Sequence, residues 1–179
     1  MLEGTLVRLR ALESTDLERE YTWFNDRDVT RFLGARYPRS HADEERWLNE
    51  RPANGFADGV RLGIETKDGV HIGNINLQAH PEDRKAGLGI MIGERSYWSN
   101  GYGTDAIVTL LLFAFHEMTL HRVWLQVFEF NERAIACYQK CGFKEEGRLR
   151  QDYYYEGRYW DSVVMSILRD EFDAPHRDG

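Results

Sequence analysis

Residues 98–106 have the sequence WSNGYGTDA, which joins a glycine-rich predicted strand to a long, apolar predicted helix. Gly101 and Gly103 can adopt positive φ and let a ligand come close to the main chain. The first turn of the helix leaves backbone N–H groups unpaired, and the helix dipole favours negative charge there. The stretch has neither the third glycine of a dinucleotide fingerprint nor the Gly-Lys-Ser/Thr ending of a P-loop. It predicts an anion-binding loop, with a simple tight turn as the alternative.

A second segment, residues 131–143, has the sequence NERAIACYQKCGF and follows the next predicted strand. Its Asn can cap a helix, and its Gly can end that helix. Together the two segments resemble those of the Gcn5-related N-acetyltransferase (GNAT) superfamily. That family has a phosphate loop of the form Gln/Arg-x-x-Gly-x-Gly/Ala and, downstream, the segment Asn-x-x-Ala-x-x-x-Tyr-x-x-x-Gly-Phe. The matching positions are Gly101 and Gly103 in the loop and Asn131, Ala134, Tyr138, Gly142 and Phe143 in the segment.

The loop departs from the family pattern at its first position, where Trp98 stands in place of Gln or Arg. The resemblance then implies that backbone amides, rather than a basic side chain, hold the phosphates. Near the end of the chain, the sequence GRYWD at 157–161 resembles the same stretch of the ribosomal-protein and spermidine acetyltransferase branch. The resemblance as a whole runs from Leu6 to Leu168.

The resemblance implies acetyl-CoA as the cosubstrate, lying in a V-shaped gap between the predicted strands at 86–93 and 122–128. Its pantetheine would pair with the backbone of the first strand, and its pyrophosphate would lie over the loop at 99–104. The Asn of the second segment would reach the cofactor as well as cap its helix. The implied cofactor-binding residues are Ile90, Met91, Ile92, Ser99, Asn100, Gly101, Tyr102, Gly103, Thr104 and Asn131, and no metal is implied.

Tyr138 is, by the resemblance, the general acid that protonates the leaving thiolate. A phenol with an ordinary pKa of about 10 stays protonated at neutral pH and can donate to sulfur. Its alternative role is packing against Phe143. A backbone N–H of the glycine-rich strand, that of Ile92, would stabilise the oxyanion. The general base is not identified, and the candidates near predicted strand ends are Glu65, Glu94, Glu129 and Asp161.

The pattern along the chain predicts an α/β (α+β) domain with a mixed, mostly antiparallel central sheet of about seven strands flanked by helices. A single domain is expected over residues 1–170, with a short tail at 171–179. A capping box of Thr15 and Glu18 is expected to begin the first helix. The predicted strands are 5–12, 61–66, 70–78, 86–93, 122–128, 143–149 and 160–168, and the predicted helices are 15–25, 40–48, 104–118 and 132–141.

Acceptor specificity would come from the helices at 15–48 and from the aromatic loop at 151–160. That loop could bind an ammonium group by cation–π contacts, or it could be a hairpin with aromatic cross-strand pairs. The strand at 72–78 offers only neutral Asn74, Asn76 and Gln78, which argues against a multiply charged polyamine. We therefore expect a primary amine of a small molecule or a peptide N-terminus. Spermidine is the alternative acceptor, and a non-catalytic acyl-CoA-binding domain and an anion- or nucleotide-binding scaffold are the alternative functions.

The amino-acid composition further limits the kind of protein and the partners that we expect. The chain carries 23 Lys and Arg against 30 Asp and Glu, a net charge of −7, which argues against nucleic acid as a partner. No apolar run is long enough to span a bilayer, and the start does not resemble a signal peptide. Cys137 and Cys141 are expected to be ordinary packed thiols in a reducing cytoplasm, so acetyl transfer should be direct, without an acyl-enzyme. A homodimer fits the family, although no sequence patch marks its interface.

Overall fold

A mixed sheet of eight strands carries the fold in the computed structural model, which describes residues 1–49 and 58–172. The strands are β1 (Leu2–Glu3), β2 (Val7–Ala11), β3 (Gly59–Thr66), β4 (His71–His80), β5 (Lys85–Ile92), β6 (Arg122–Phe128), β7 (Lys144–Tyr155) and β8 (Arg158–Leu168). Their order is β1-β2-β3-β4-β5-β6-β8-β7, and each neighbouring pair is antiparallel except β5 and β6. The predicted fold class is confirmed, and β1 is a strand too short for a sequence pattern to reveal.

Helices cover both faces of this sheet. They are α1 (Leu17–Asn25), α2 (Arg27–Thr30), α3 (His41–Asn49), α4 (Tyr102–His116) and α5 (Glu132–Lys140). On one face, Ile107 of α4 and Tyr138 of α5 belong to the main hydrophobic core, against which Ile90 of β5 packs. On the other face, Trp23 of α1 and Val29 of α2 pack on Met91 of β5, because successive strand side chains point to opposite faces.

The predicted elements are found close to their expected places, with differences at their ends. The first helix follows a short 3-10 turn, and the Asp16 carboxylate, not the expected Thr15 and Glu18 pair, accepts the Glu13 N–H at 2.8 Å. The four-residue helix α2 has no counterpart among the sequence predictions. Of the predicted tail at 171–179, residues 173–179 lie outside the described residues, and the single-domain boundary stays a prediction.

The tyrosine-rich segment forms a hairpin rather than a loop. Strands β7 and β8 extend through it and turn at Glu156 and Gly157, so both strands are longer than predicted. Tyr154 pairs with Tyr159 across the hairpin, and their ring centroids are 5.1 Å apart. The cross-strand alternative that the sequence left open is therefore confirmed.

A single carboxylate ties the start of the sheet to α4. The side chain of Asp105, in the first turn of α4, accepts the backbone N–H groups of Thr5, Leu6 and Val7 at 3.0, 2.7 and 2.9 Å. These donors are the last two residues of the connection between β1 and β2 and the first residue of β2, so the carboxylate fixes the start of β2 against the helix. Because α4 begins the candidate site, the same contacts position the site on the sheet.

A buried polar cluster fixes α1 and α3 on the sheet. Glu20 of α1 is 1% exposed, and its Oε2 accepts a hydrogen bond from Asn74 Nδ2 of β4 at 2.6 Å. Glu44 of α3 is equally buried and receives Arg39 Nη1 at 2.9 Å. Burial raises the pKa of Glu20 to about 8, and the nearby charge of Glu44 adds to the rise. Glu20 therefore keeps its proton at neutral pH, as a carboxyl group in a dry site should.

Strands β5 and β6 separate after a short parallel contact. They pair only from Lys85 with Arg122 to Gly87 with Trp124. Beyond that point the later residues of β5 pair with β4 alone, through Met91 with Asn74. The predicted V-shaped gap between these two strands is present.

Candidate active site

The separation of β5 and β6 opens a cleft of about 610 Å³. Its wall combines Ile107 and Tyr138 from the α4 and α5 face with Val29 and Phe128 from the other face. Of the ten predicted cofactor-binding residues, eight line the cleft: Ile90, Met91, Ile92, Ser99, Gly101, Gly103, Thr104 and Asn131.

Two predicted residues, Asn100 and Tyr102, do not line the cleft through their side chains. The Asn100 amide is exposed and donates to the Ser96 carbonyl at 3.3 Å. The Tyr102 ring packs edge-on against Tyr97, with centroids 5.1 Å apart. Any contact of these two residues with a ligand in the cleft would come from their backbone.

The start of α4 leaves backbone N–H groups free at the cleft, which is the geometry on which the anion-binding prediction depends. Gly101 caps the helix with φ of 86°, in the left-handed region that favours glycine. The first intrahelical bond is the Asp105 N–H to the Gly101 carbonyl at 3.0 Å. The N–H groups of residues 102–104 lie before that bond, at the positive end of the helix dipole. These amides can hold phosphate oxygens where Gly103 and Thr104 line the cleft.

Trp98 and Arg133 form a pair beside this loop. The Trp98 Nε1–H donates to the Ile92 carbonyl at 2.7 Å, which fastens the loop to the end of β5. The Arg133 guanidinium of α5 lies 4.0 Å over the Trp98 ring, and both side chains line the cleft. A basic side chain that the sequence analysis did not single out therefore lies beside the loop, while the prediction that backbone amides hold the phosphates stays a prediction. Burial and the charge of Arg31 lower the pKa of Arg133, so a bound anion would stabilise its charge.

Tyr138 lies in the cleft wall and is 8% exposed. Its ring centroid is 5.9 Å from that of Phe143, so the alternative role in packing is confirmed, and the catalytic role stays a prediction. Burial raises the pKa of Tyr138, which keeps the phenol protonated and able to donate. The neighbouring Asn131 accepts the Ala134 N–H at 3.3 Å, which confirms its role as helix cap.

Cys137 differs from the ordinary packed thiol that the sequence predicts. Its Sγ lines the cleft 3.3 Å from Thr104 Oγ1, at the loop end of the site. A hydrogen bond from the Cys141 thiol lowers the pKa of Cys137 and, in turn, raises the pKa of Cys141. Both thiols are free.

A polar group that the sequence did not single out lies at the other end of the cleft. Gln126 Nε2 of β6 donates to Asp152 Oδ2 of β7 at 3.1 Å. Ser162 of β8 is 1% exposed, and its Oγ has no hydrogen-bond partner among the described residues. All three side chains line the cleft. No sequence signal marked Asp152, because its position depends on the register shift of β7 between Leu149 and Tyr153, which no local pattern encodes.

The four carboxylates named as candidate bases lie elsewhere. Glu65 of β3 is bound to Arg10 at 2.6 Å, and β4 lies between its strand and β5. Glu129 accepts the Asp161 N–H at 2.9 Å, and Asp161 accepts the Gln151 N–H at 2.8 Å. Glu94 accepts the Ser96 hydroxyl at 3.3 Å. None of these four carboxylates lines the cleft.

Within residues 1–49 and 58–172, no three side chains of His, Cys, Asp or Glu come together as a metal site. Over the same residues, every helix is too short or too polar to cross a membrane.

Known proteins with a similar sequence and a similar fold show the family to which this chain belongs. The model of the acetyltransferase (GNAT) domain matches residues 7–144. A spermidine N(1)-acetyltransferase of Vibrio cholerae is 29% identical over 167 residues, covering 93% of this chain and 95% of that protein. The uncharacterized N-acetyltransferase YoaA of Bacillus subtilis is 30% identical over 173 residues, covering 94% and 97%.

Solved structures agree. The crystal structure of spermidine N-acetyltransferase from Vibrio cholerae in complex with CoA and spermine superposes with a TM-score of 0.85 at 28% identity. The superposition covers 94% of this chain and 98% of that one. The chain therefore belongs to the GNAT acetyltransferase family, and it is an acetyl-CoA-dependent N-acetyltransferase that acts on an amine.

Proposed function

We propose that this enzyme transfers the acetyl group directly from acetyl-CoA to a primary amine, within one ternary complex, with Tyr138 as the general acid. The observation that carries the proposal is the position of this phenol. It is buried in the wall of the cleft between β5 and β6, on the helix that packs against α4. A group so placed can reach a thioester that extends along β5 from the loop.

The chain supplies three functions for the reaction. The amides of residues 102–104 and the Arg133 guanidinium hold the phosphates, and the backbone of Ile90, Met91 and Ile92 pairs with the pantetheine. A neutral amine attacks the acetyl carbon, so a C–N bond forms as the C–S bond breaks. The Ile92 N–H stabilises the oxyanion, and the Tyr138 hydroxyl gives its proton to the leaving thiolate. The surplus amine proton passes to solvent, from which Tyr138 is reprotonated.

The pKa of Tyr138 suits this role. Because burial raises the pKa above its ordinary value of 10.0, the phenol is protonated at every pH at which the protein would work. Rates should therefore show no fall on the alkaline side from ionisation of this group up to about pH 9.

The test is replacement of Tyr138 by Phe, which removes the hydroxyl and keeps the ring. We expect kcat to fall by about 100-fold or more while the Kd for acetyl-CoA stays within about twofold. CoA release with a thiol reagent gives the rate, and calorimetry gives the Kd. Tyr154→Phe, on an exposed tyrosine of the hairpin, is the matched control and should behave as wild type. Undiminished kcat in Y138F would refute the acid role.

A second substitution tests direct transfer. Cys137→Ser removes the thiol that lies at the loop end of the cleft, 3.3 Å from Thr104. Transfer without an acyl-enzyme predicts near wild-type kcat for this variant, provided that its circular dichroism is native. Loss of activity in a folded C137S protein would contradict direct transfer.

Spermidine is a second candidate acceptor, because relatives at 28–29% identity bear that substrate in their names. The acceptor is otherwise proposed as an amine of a small molecule or a peptide N-terminus.

A cytoplasmic location is proposed because of the two free thiols, which suit a reducing compartment. We also propose a homodimer, which rests on the family resemblance alone. Light scattering would test it by measuring the molar mass of the protein in solution.

A further inference from the structure

The cleft wall on the face of the sheet opposite α4 and α5 carries a group of polar side chains that the proposed chemistry does not use. Along β6, Val127 packs in the main core with α4, so the exposed Gln126 and the half-buried Phe128 point to the opposite face. Asp152 is on that face as well, since it accepts a hydrogen bond from Gln126 at 3.1 Å. This face can therefore take the acceptor, because the cofactor phosphates would lie elsewhere, at the loop that begins α4.

Asp152 is the one carboxylate among the described residues that line the cleft. Its position depends on the irregular register of β7 between Leu149 and Tyr153, where Gln151 adopts a left-handed φ of 55°. The Gln151 N–H is held by Asp161 Oδ1 at 2.8 Å, which fixes this strained residue. A backbone so constrained just before Asp152 aims the carboxylate into the cleft, and strained residues of this kind cluster at binding sites.

Ser162 supplies a second, independent sign of a ligand. Its hydroxyl is almost fully buried in the cleft wall and has no hydrogen-bond partner within the part of the chain that the structure describes. Buried hydroxyls are nearly always satisfied, so an unpaired one facing a cleft marks a place where a ligand or water binds. Ser162 lies opposite Phe128 in the register of β6 and β8, on the same face as Asp152.

The surroundings of this polar group limit the charge of the substrate. Arg36 lies 4.9 Å over the ring of Tyr153, which stacks on Phe128 with centroids 4.0 Å apart. Arg31 lies 4.5 Å over Phe32, another side chain of the cleft wall. A ligand with several ammonium groups would meet these cations, while one ammonium can reach the carboxylate. The apolar Val29 and Leu33 offer a surface for the rest of the molecule.

We infer that Asp152, held by Gln126 and assisted by the Ser162 hydroxyl, binds the single ammonium of the acceptor, whose apolar or aromatic body lies against Phe128 and Val29. This inference rests on the proposed function, because it places the acceptor opposite the cofactor. Asp152 is a specificity-determining residue in this arrangement: it holds the ammonium, which releases one proton to solvent before the neutral amine attacks, and the carboxylate itself forms no bond to the acetyl carbon. The acceptor class is a primary amine with one positive charge, of which benzylamine is the simplest probe.

The experiment compares benzylamine and spermidine as acceptors of the wild-type chain and of three variants. We expect wild type to have the higher kcat/KM for benzylamine. In Asp152→Asn the KM for benzylamine should rise about 10- to 100-fold, with kcat changed much less and the KM for acetyl-CoA unchanged. Asp152→Glu, which keeps the charge, should recover most of the affinity. Glu156→Gln removes an exposed carboxylate from the tip of the same hairpin and should equal wild type.

Three results would overturn the inference. They are an unchanged benzylamine KM in D152N, an equal loss in E156Q, and a wild-type preference for spermidine. Calorimetry with acetyl-CoA on the same preparations keeps the two proposals apart. A chain that binds acetyl-CoA yet acetylates neither amine contradicts this acceptor class, whereas a chain that binds no acetyl-CoA contradicts the proposed function.

Discussion

Replacing Glu20 by Gln should stabilise the protein increasingly as the pH rises through neutrality. Glu20 is buried in α1, and glutamine keeps both its volume and an oxygen that can accept the Asn74 amide, which is now 2.6 Å away. Burial raises the pKa of Glu20 to about 8, against 4.5 for an ordinary glutamate. Between these two values the folded protein holds a proton that the unfolded chain has lost. The contribution of Glu20 to stability therefore falls as pH rises.

The size of the effect follows from the width of that window. Within it, the free energy of unfolding of wild type should fall relative to that of E20Q by about 1.4 kcal/mol for each pH unit. From about pH 5.5 to about pH 7.5 the gap should widen by about 3 kcal/mol, a large part of the stability of an ordinary domain. His71, whose pKa is lowered by burial, acts in the opposite sense below its ordinary pKa of 6.5. His71 Nε2 lies 3.6 Å from Glu20 Oε1, but above pH 6.5 the imidazole is neutral in both proteins, so their difference there reports Glu20.

Urea denaturation of wild type and E20Q at those two pH values measures the gap directly. Glu18→Gln, on a side chain that is 79% exposed in the same helix, is the matched control. Its difference from wild type should change by less than about 0.5 kcal/mol between the two pH values. A gap between E20Q and wild type that stays constant with pH would refute the claim that the folded protein holds a proton on Glu20.

Two further predictions concern α4 and the phosphate end of the cleft. Asp105→Ala leaves the N–H groups of the β1–β2 connection without their acceptor, and it should cost about 2–4 kcal/mol in urea denaturation. Asp105→Asn, which keeps one acceptor oxygen, should lose less, and equal losses in the two variants would contradict the hydrogen-bond explanation. Arg133→Ala should weaken CoA binding by roughly 10- to 100-fold in calorimetry, as expected for a charged hydrogen bond to phosphate. Arg133→Lys should recover part of the affinity, and an unchanged Kd in R133A would remove Arg133 from the phosphate site.

Elements with a strong local signal were predictable. The Asp68 and Gly69 pair between two alternating runs marks the turn of β3 and β4, and Gly69 indeed has φ of 83°. The strand β6 has the bounds expected from its period, and the helix capped by Asn131 begins where expected and ends one residue earlier than predicted. In each case the deciding interactions lie within a few residues, so the local sequence is sufficient.

Interactions between distant segments were not predictable. Arg133 lies over Trp98 only because α5 packs beside α4, and no spacing within either segment encodes that contact. Asp152 enters the cleft through the irregular register of β7, since a regular strand would give its side chain a different direction. The family resemblance brought the main site residues together, but it gave no reason to choose Asp152 over the other carboxylates.

The early separation of β5 and β6 also gives this sheet an edge in its middle. An exposed edge strand is a template on which other chains can pair and aggregate. Here the unpaired side of β5 at residues 88–92 lies inside a cleft walled by α5 and by Val29 of α2, rather than on the outer edge of the sheet. A ligand with amide groups of its own can enter this cleft and pair with that side of β5. The fold thus keeps the pairing capacity of an edge strand while protecting it from the partners that usually exploit one.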